Sequence, residues 1–172
     1  MLPSSAPRWL AVAAVHVFLA LPLSASEFGE LVAVLKKTWP ERREVAMVCN
    51  LSVSQPFVDD LVKAAGTSLR VKVYEVKSPS DIGRVVNKIL EAKADLLVLV
   101  PSDPVAGDGL KEAEYLIKKL AGSKVPTVAT TESGVRQGAL IGVGPGTEGV
   151  VFVNPRAASV VGLPLPANGR PI

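Results

Sequence analysis

Four times between residues 28 and 130 a stretch of helical length and one-sided apolar pattern leads into a short apolar run of strand length. FGELVAVLKKTW (28–39) puts Phe28, Leu31, Val34 and Leu35 on one face, stops at Pro40, and is followed by REVAMVC (43–49). SQPFVDDLVKAAG (54–66) opens on a serine and an early proline, closes on Gly66, and leads into LRVKVYEV (69–76), whose alternation suits a half-exposed edge strand. SPSD (78–81) has the order of a capping box, and Ile82, Val85, Val86, Ile89 and Leu90 then repeat at helical spacing. DLLVLV (95–100) is apolar on both faces, as a central parallel strand is. LKEAEYLIKKLAG (110–122), closed by Gly122, precedes VPTVAT (125–130). Parallel strands need long crossovers, and those crossovers are right-handed. The alternation therefore predicts an α/β chain: a single doubly wound three-layer domain with a mostly parallel sheet, the first four strands in the order 2-1-3-4.

The remainder is less regular. GALIGVG (138–144) and GVVFVN (149–154) predict two short strands joined by a Pro-Gly turn, and PRAASVVG (155–162) predicts a short helix. Residues 167–172 are expected to form a flexible tail, leaving 27–166 as the folded domain.

The first 26 residues differ in kind. Arg8 is their only charge, Trp9 to Leu23 carries none, and three small residues, Ser24 to Ser26, precede the first acid, Glu27. That order is the pattern of a signal peptide over residues 1–26, cleaved near Ser26, with a periplasmic or secreted product. The alternative is an uncleaved membrane anchor, for which the run is shorter than the ~20 residues a spanning helix needs.

Cleavage would remove His16, the only histidine, and with it any histidine triad, base or metal ligand. Cys49, the single cysteine, sits in the apolar run VAMVCN and reads as a buried, inert thiol. No nucleophile stands beside a plausible base, so no enzyme, metal or cofactor is expected. Lysine and arginine are scattered, with no basic run longer than a pair, which argues against a nucleic-acid surface.

In doubly wound sheets, ligands bind beyond the carboxyl ends of the strands, near the switch point. Here that point lies between the first and third strands. It assembles Asn50, Ser52, Ser54 and Gln55 with Ser102 and Asp103, and with Thr130, Thr131, Glu132 and Ser133 after the fourth strand. Serine and asparagine side chains with free helix-start amides suit a carboxylate or phosphate, and Asp103 suits an ammonium or hydroxyl group. The alternative is that Ser54, Ser102 and Asp103 merely cap helices and turns. GVGPG (142–146) reads as a turn rather than a phosphate loop, since neither Lys-Ser nor Lys-Thr follows it.

In order and spacing, LKKTWPERREVAMVCN, LSVSQ, KSPSDIGRVV, ADLLVLVPSD, KVPTVAT, GVRQGALIGVG and FVNPRAASVVGLPLP resemble the second lobe of ABC transporter substrate-binding proteins of the type I periplasmic-binding class. The match runs over roughly residues 30–166. A complete member closes two lobes around its ligand, and nothing in this sequence resembles the first. PGTEG stands where the family has a further helix and strand.

The resemblance implies a shared fold and export, and the leading expectation is an exported single-lobe relative that binds or senses a small polar solute for a membrane partner. That partner would be a permease, a sensor or an envelope protein. A homodimer could rebuild the absent half of the cleft. The alternative is an envelope interaction module that keeps the fold without a ligand site and exposes an apolar patch.

Overall fold

The structure, a computed structural model, describes residues 28–172. The expected signal peptide therefore lies outside the described residues. The chain runs α1 (Gly29–Thr38), β1 (Glu44–Cys49), α2 (Leu51–Ala65), β2 (Arg70–Glu75), a 3₁₀ turn (Pro79–Asp81), α3 (Ile82–Glu91), β3 (Leu96–Leu99), α4 (Lys111–Gly122), β4 (Thr127–Thr131), α5 (Glu132–Arg136), β5 (Ile141–Gly146), β6 (Phe152–Val153), α6 (Pro155–Val161) and β7 (Arg170–Pro171). The strands form one sheet in the order β2-β1-β3-β4-β5-β6-β7, so the expected 2-1-3-4 arrangement is present. Strands β1 to β5 pair in parallel, β6 runs antiparallel to β5, and β7 is parallel to β6.

Both faces are covered, which is why the central strands are apolar throughout. Met47, Cys49, Val98 and Val128 pack under α1, α2 and α6, where Leu31, Leu35, Leu61 and Val161 meet them. The alternate residues Ala46, Val48, Leu97, Leu99 and Ala129 pack under α3, α4 and α5. All four residues of β3 are fully buried.

Four local features depart from expectation. Helix α2 starts at Leu51 rather than at residue 54, because the Asn50 side chain accepts the Ser52 N–H and caps the helix earlier. Pro56 then lies inside α2 and, lacking an N–H, leaves the Ser52 carbonyl without its helical donor. A second departure is α5, a short helix capped by Thr131 directly after β4, where no element was expected.

The turn after β5 is not the Pro-Gly pair, which stays in the strand. It falls on Glu148 and Gly149, both at positive φ (52° and 76°), closed by Val150 N–H to the Thr147 carbonyl at 2.9 Å. Two central residues of positive φ are what a tight hairpin turn of the I′ kind demands. Thr147 Oγ1 braces it, bonding both the N–H and the carbonyl of Gly144.

The C-terminal residues, expected to fray, are paired. Arg170 N–H reaches the Val151 carbonyl at 2.7 Å and Ile172 N–H the Val153 carbonyl at 3.1 Å. Backbone bonds do this without any apolar pattern, and Gly169 permits the approach: a β-carbon there would lie 2.2 Å from Val153 Cγ1. Upstream, Trp39 Nε1 donates to the Pro164 carbonyl at 3.0 Å and holds the segment against α1. Among the described residues no helix is long and apolar enough to cross a membrane.

Candidate functional site

Strands β1, β3 and β4 are adjacent and parallel, so their carboxyl ends open on one edge of the sheet. Asn50 and Ser52 follow β1, Ser102 and Asp103 follow β3, and Thr130 and Thr131 end β4. Topology thus brings the predicted residues to one edge. Their side chains, however, divide into two sets.

The first set faces inward. Asp103 is only 2% exposed. Its Oδ2 accepts the Asn50 N–H at 2.7 Å and the Ser54 hydroxyl at 2.6 Å. Its Oδ1 accepts the Val105 and Ala106 N–H groups at 2.9 and 2.8 Å. One carboxylate therefore closes its own turn and ties that turn to the end of β1 and the first turn of α2. Four donors occupy it, so Asp103 and the buried Ser54 hold the loop rather than face solvent. Gly107 must come close for this turn to close, since a β-carbon there would lie 2.5 Å from the Asp103 carbonyl oxygen. The Cys49 thiol lies in the same buried region. Burial first, then the negative charges of Asp103 and Glu75, push it up to about 12, so it is a thiol and not a nucleophile.

The second set faces outward. Ser52 is exposed and its hydroxyl donates to Asn50 Oδ1 at 2.6 Å. Gln55 is exposed and donates to Asp59 Oδ1 at 2.8 Å. Ser102 is exposed on a backbone of φ 57°. Glu132 pairs with Arg136 one turn along α5. Ser133, just past β4, is exposed as well, so Ser52, Gln55, Ser102 and Ser133 are the predicted side chains this edge offers to solvent.

Sequence reasoning missed Asp108. Its Oδ2 accepts Thr131 Oγ1 at 2.8 Å, Thr130 N–H at 3.1 Å and Thr130 Oγ1 at 3.4 Å, which ties the loop before α4 to the end of β4. Oδ1 is buried and has no hydrogen-bond partner. Gly134 packs against it so closely that a β-carbon would lie 3.0 Å from Oδ1. The only signal in the sequence is a second aspartate flanked by glycines in PSDPVAGDGL.

Burial holds the Asp108 carboxyl above the usual carboxylate range, against the opposing pull of the Thr131 and Thr130 donors. The folded state therefore binds this proton more tightly than the unfolded chain does. Its contribution falls as pH rises from the unfolded value, about 3.9, through the raised folded value. Relative to Asp108→Asn, the wild type should gain stability on acidification across that window. Urea midpoints of both proteins at pH 4 to 7 test this, and parallel profiles would contradict it.

A groove of about 630 Å³ runs along the outer flank of β2 beside α3, between the side chains of Tyr74, Arg84 and Lys88. It is not at the shared edge of β1, β3 and β4, where the strand ends and their polar groups converge. Among the described residues the large exposed apolar side chains are Val53 and Val62 on α2, Tyr115 on α4, Val160 on α6, and Ile172. Val53 and Val62 are nine residues apart in α2, which puts them on opposite sides of that helix at about 100° per residue.

No family model matches the sequence, and no curated protein matches it. Solved structures do share its fold. A conserved domain protein from Vibrio cholerae O1 biovar El Tor superimposes with a TM-score of 0.71 at 17% identity, over 85% of this chain and 60% of that one. The ABC domain of Streptococcus pneumoniae in complex with L-Trp gives 0.69 at 16% identity, over 85% and 62%. A ligand-free, open substrate-binding protein with adhesive properties from Clostridium difficile gives 0.67 at 18% identity, over 82% and 58%.

The chain shares the fold of these proteins, one of which is a substrate-binding protein. The chain spans only about three fifths of the length of each of these proteins, as a single lobe does. In open α/β sheets the region beyond the carboxyl ends of the strands, near the point where the strand order reverses, is the general position for a ligand.

Proposed function

We propose that this chain is an exported, non-enzymatic solute-binding lobe that takes a small polar molecule at the carboxyl edge of β1, β3 and β4 for a membrane partner. The observation that carries the reading is the division of labour at that edge. Asp103 is a buried tie point and Asp108 a half-buried one, while Ser52, Gln55 and Ser102 remain exposed around them. Hydroxyl and amide groups on a rigid, parallel-strand scaffold are what recognition of a carboxylate, hydroxyl or amide group needs. The fold shared with the L-Trp-bound protein of Streptococcus pneumoniae supports amino acids as the first solutes to try.

A melting screen against amino acids including L-tryptophan, nucleobases and sugars tests this. A solute at ten times its Kd stabilises by about 1.4 kcal/mol, a rise of about 3–6 °C for a domain of this size. Ser52→Ala with Ser102→Ala should reduce that rise, each lost hydrogen bond being worth about 0.5–1.5 kcal/mol. No rise with any compound at millimolar concentration would overturn the reading. The alternative interaction module needs a continuous apolar face, and the exposed apolar side chains on α2 point in opposite directions.

A further inference from the structure

Helices α3 and α4 end in the same way at the opposite, amino-terminal edge of the sheet. Lys93 N–H bonds the Leu90 carbonyl at 3.0 Å and Ala94 N–H the Ile89 carbonyl at 3.2 Å. Lys124 N–H bonds the Ala121 carbonyl and Val125 N–H the Leu120 carbonyl, both at 3.0 Å. In each case the residue just past the helix is left-handed, with φ 54° at Lys93 and φ 63° at Lys124. That position favours glycine, because a β-carbon is strained there. Lysine occupies it twice. Compensation of the helix dipoles does not require this, since Lys88 and Lys119 already stand in the last turns of α3 and α4.

Both lysines line one groove of about 420 Å³ together with Arg42 and Ser123, over Leu90, Ala94 and Val125. No carboxylate lines it. The nearby Asp95 carboxylate is engaged elsewhere, its Oδ2 accepting the N–H groups of Arg43 and Glu44 at 2.8 and 2.9 Å. Arg42 is fixed by donating from Nη1 to the Asp95 carbonyl at 2.7 Å. Lys124 donates to the Val160 carbonyl, which leaves its charge uncompensated. Lys93 has no hydrogen-bond or ion-pair partner among the described residues. Three cationic residues line one concavity. Two helix carboxyl ends of about half a negative charge each do not cancel them.

We propose that this groove is a second binding site, for a phosphate-type polyanion, held by Arg42, Lys93 and Lys124 with the Ser123 hydroxyl as a neutral donor. Free phosphates and the phosphate of an anionic lipid headgroup present the same chemistry. The site stands apart from the proposed solute edge, and neither reading depends on the other.

The test is a pyrophosphate titration of the full chain at constant ionic strength, with no solute present, read by calorimetry and by melting. A parallel arm measures sedimentation with phosphatidylglycerol vesicles against phosphatidylcholine vesicles. Lys93→Gly with Lys124→Gly should melt at or above the wild-type temperature in anion-free buffer, because the backbone strain is relieved, yet bind pyrophosphate at least about tenfold more weakly. Lys93→Arg with Lys124→Arg should retain binding. Pyrophosphate binding alone assigns a soluble anion. Added binding to the phosphatidylglycerol vesicles that the glycine variant loses assigns the headgroup. The proposal is overturned if neither arm binds, or if the glycine variant binds as the wild type does.

Discussion

Asp103→Ala is expected to lower stability by about 3–5 kcal/mol, since it removes the shared acceptor of four hydrogen bonds from a buried site and leaves several donors unpaired. The affected donors are the N–H groups of Asn50, Val105 and Ala106 and the Ser54 hydroxyl. Three segments depend on them: the end of β1, the start of α2 and the turn after β3. Asp103→Asn should lose less. It can still accept from Val105 and Ala106 on one side, and the Ser54 hydroxyl can turn to accept from the new amide. Only the Asn50 N–H then faces another donor. Urea denaturation separates the three proteins. A loss for Asp103→Ala below about 1 kcal/mol, the size of one ordinary hydrogen bond, would remove Asp103 from its place as the tie of this edge.

Gly142→Ala should be the second large loss. Strand β5 crosses close to β4 at an irregular register between Ala129 and Thr131. A β-carbon on Gly142 would lie 2.4 Å from Val135 Cγ2 and 3.0 Å from the Thr131 carbonyl oxygen. The first obstacle is a stiff, fully buried valine, and the second is backbone. Overpacking of this kind lowers stability by about 2–3 kcal/mol. It would also displace Thr131, and with it the bond to Asp108. Gly83→Ala is the matched control: it lies in α3 with nothing within 4 Å of its would-be β-carbon. There alanine should raise stability by about 0.5–1 kcal/mol. Equal effects of the two substitutions would contradict the close approach.

The parts of this fold that local physics controls were legible in the sequence. The apolar run of residues 96–99 could only be a strand covered on both faces, and the crossovers around it dictated the sheet order. Ser78 and Asp81 form the capping box their spacing announced. What escaped was decided over long separations. Asp108 meets Thr130 and Thr131 across 22 and 23 residues, and no local pattern encodes that. Asp103 offered both a turn and a ligand role, and its partners Asn50 and Ser54, 53 and 49 residues away, show why sequence spacing left the two open. The pairing of β7 uses main-chain groups alone, so its side chains carried no sign of it.

Cys49 is the chain's one cysteine and sits fully buried at the end of β1, the strand flanked by β2 and β3. A maleimide or disulfide reagent can reach it only after neighbouring layers part. The molecule thereby carries its own clock for opening: each tagged copy is one whose centre has come apart. The same seclusion keeps two folded copies from being coupled through sulfur under oxidising conditions.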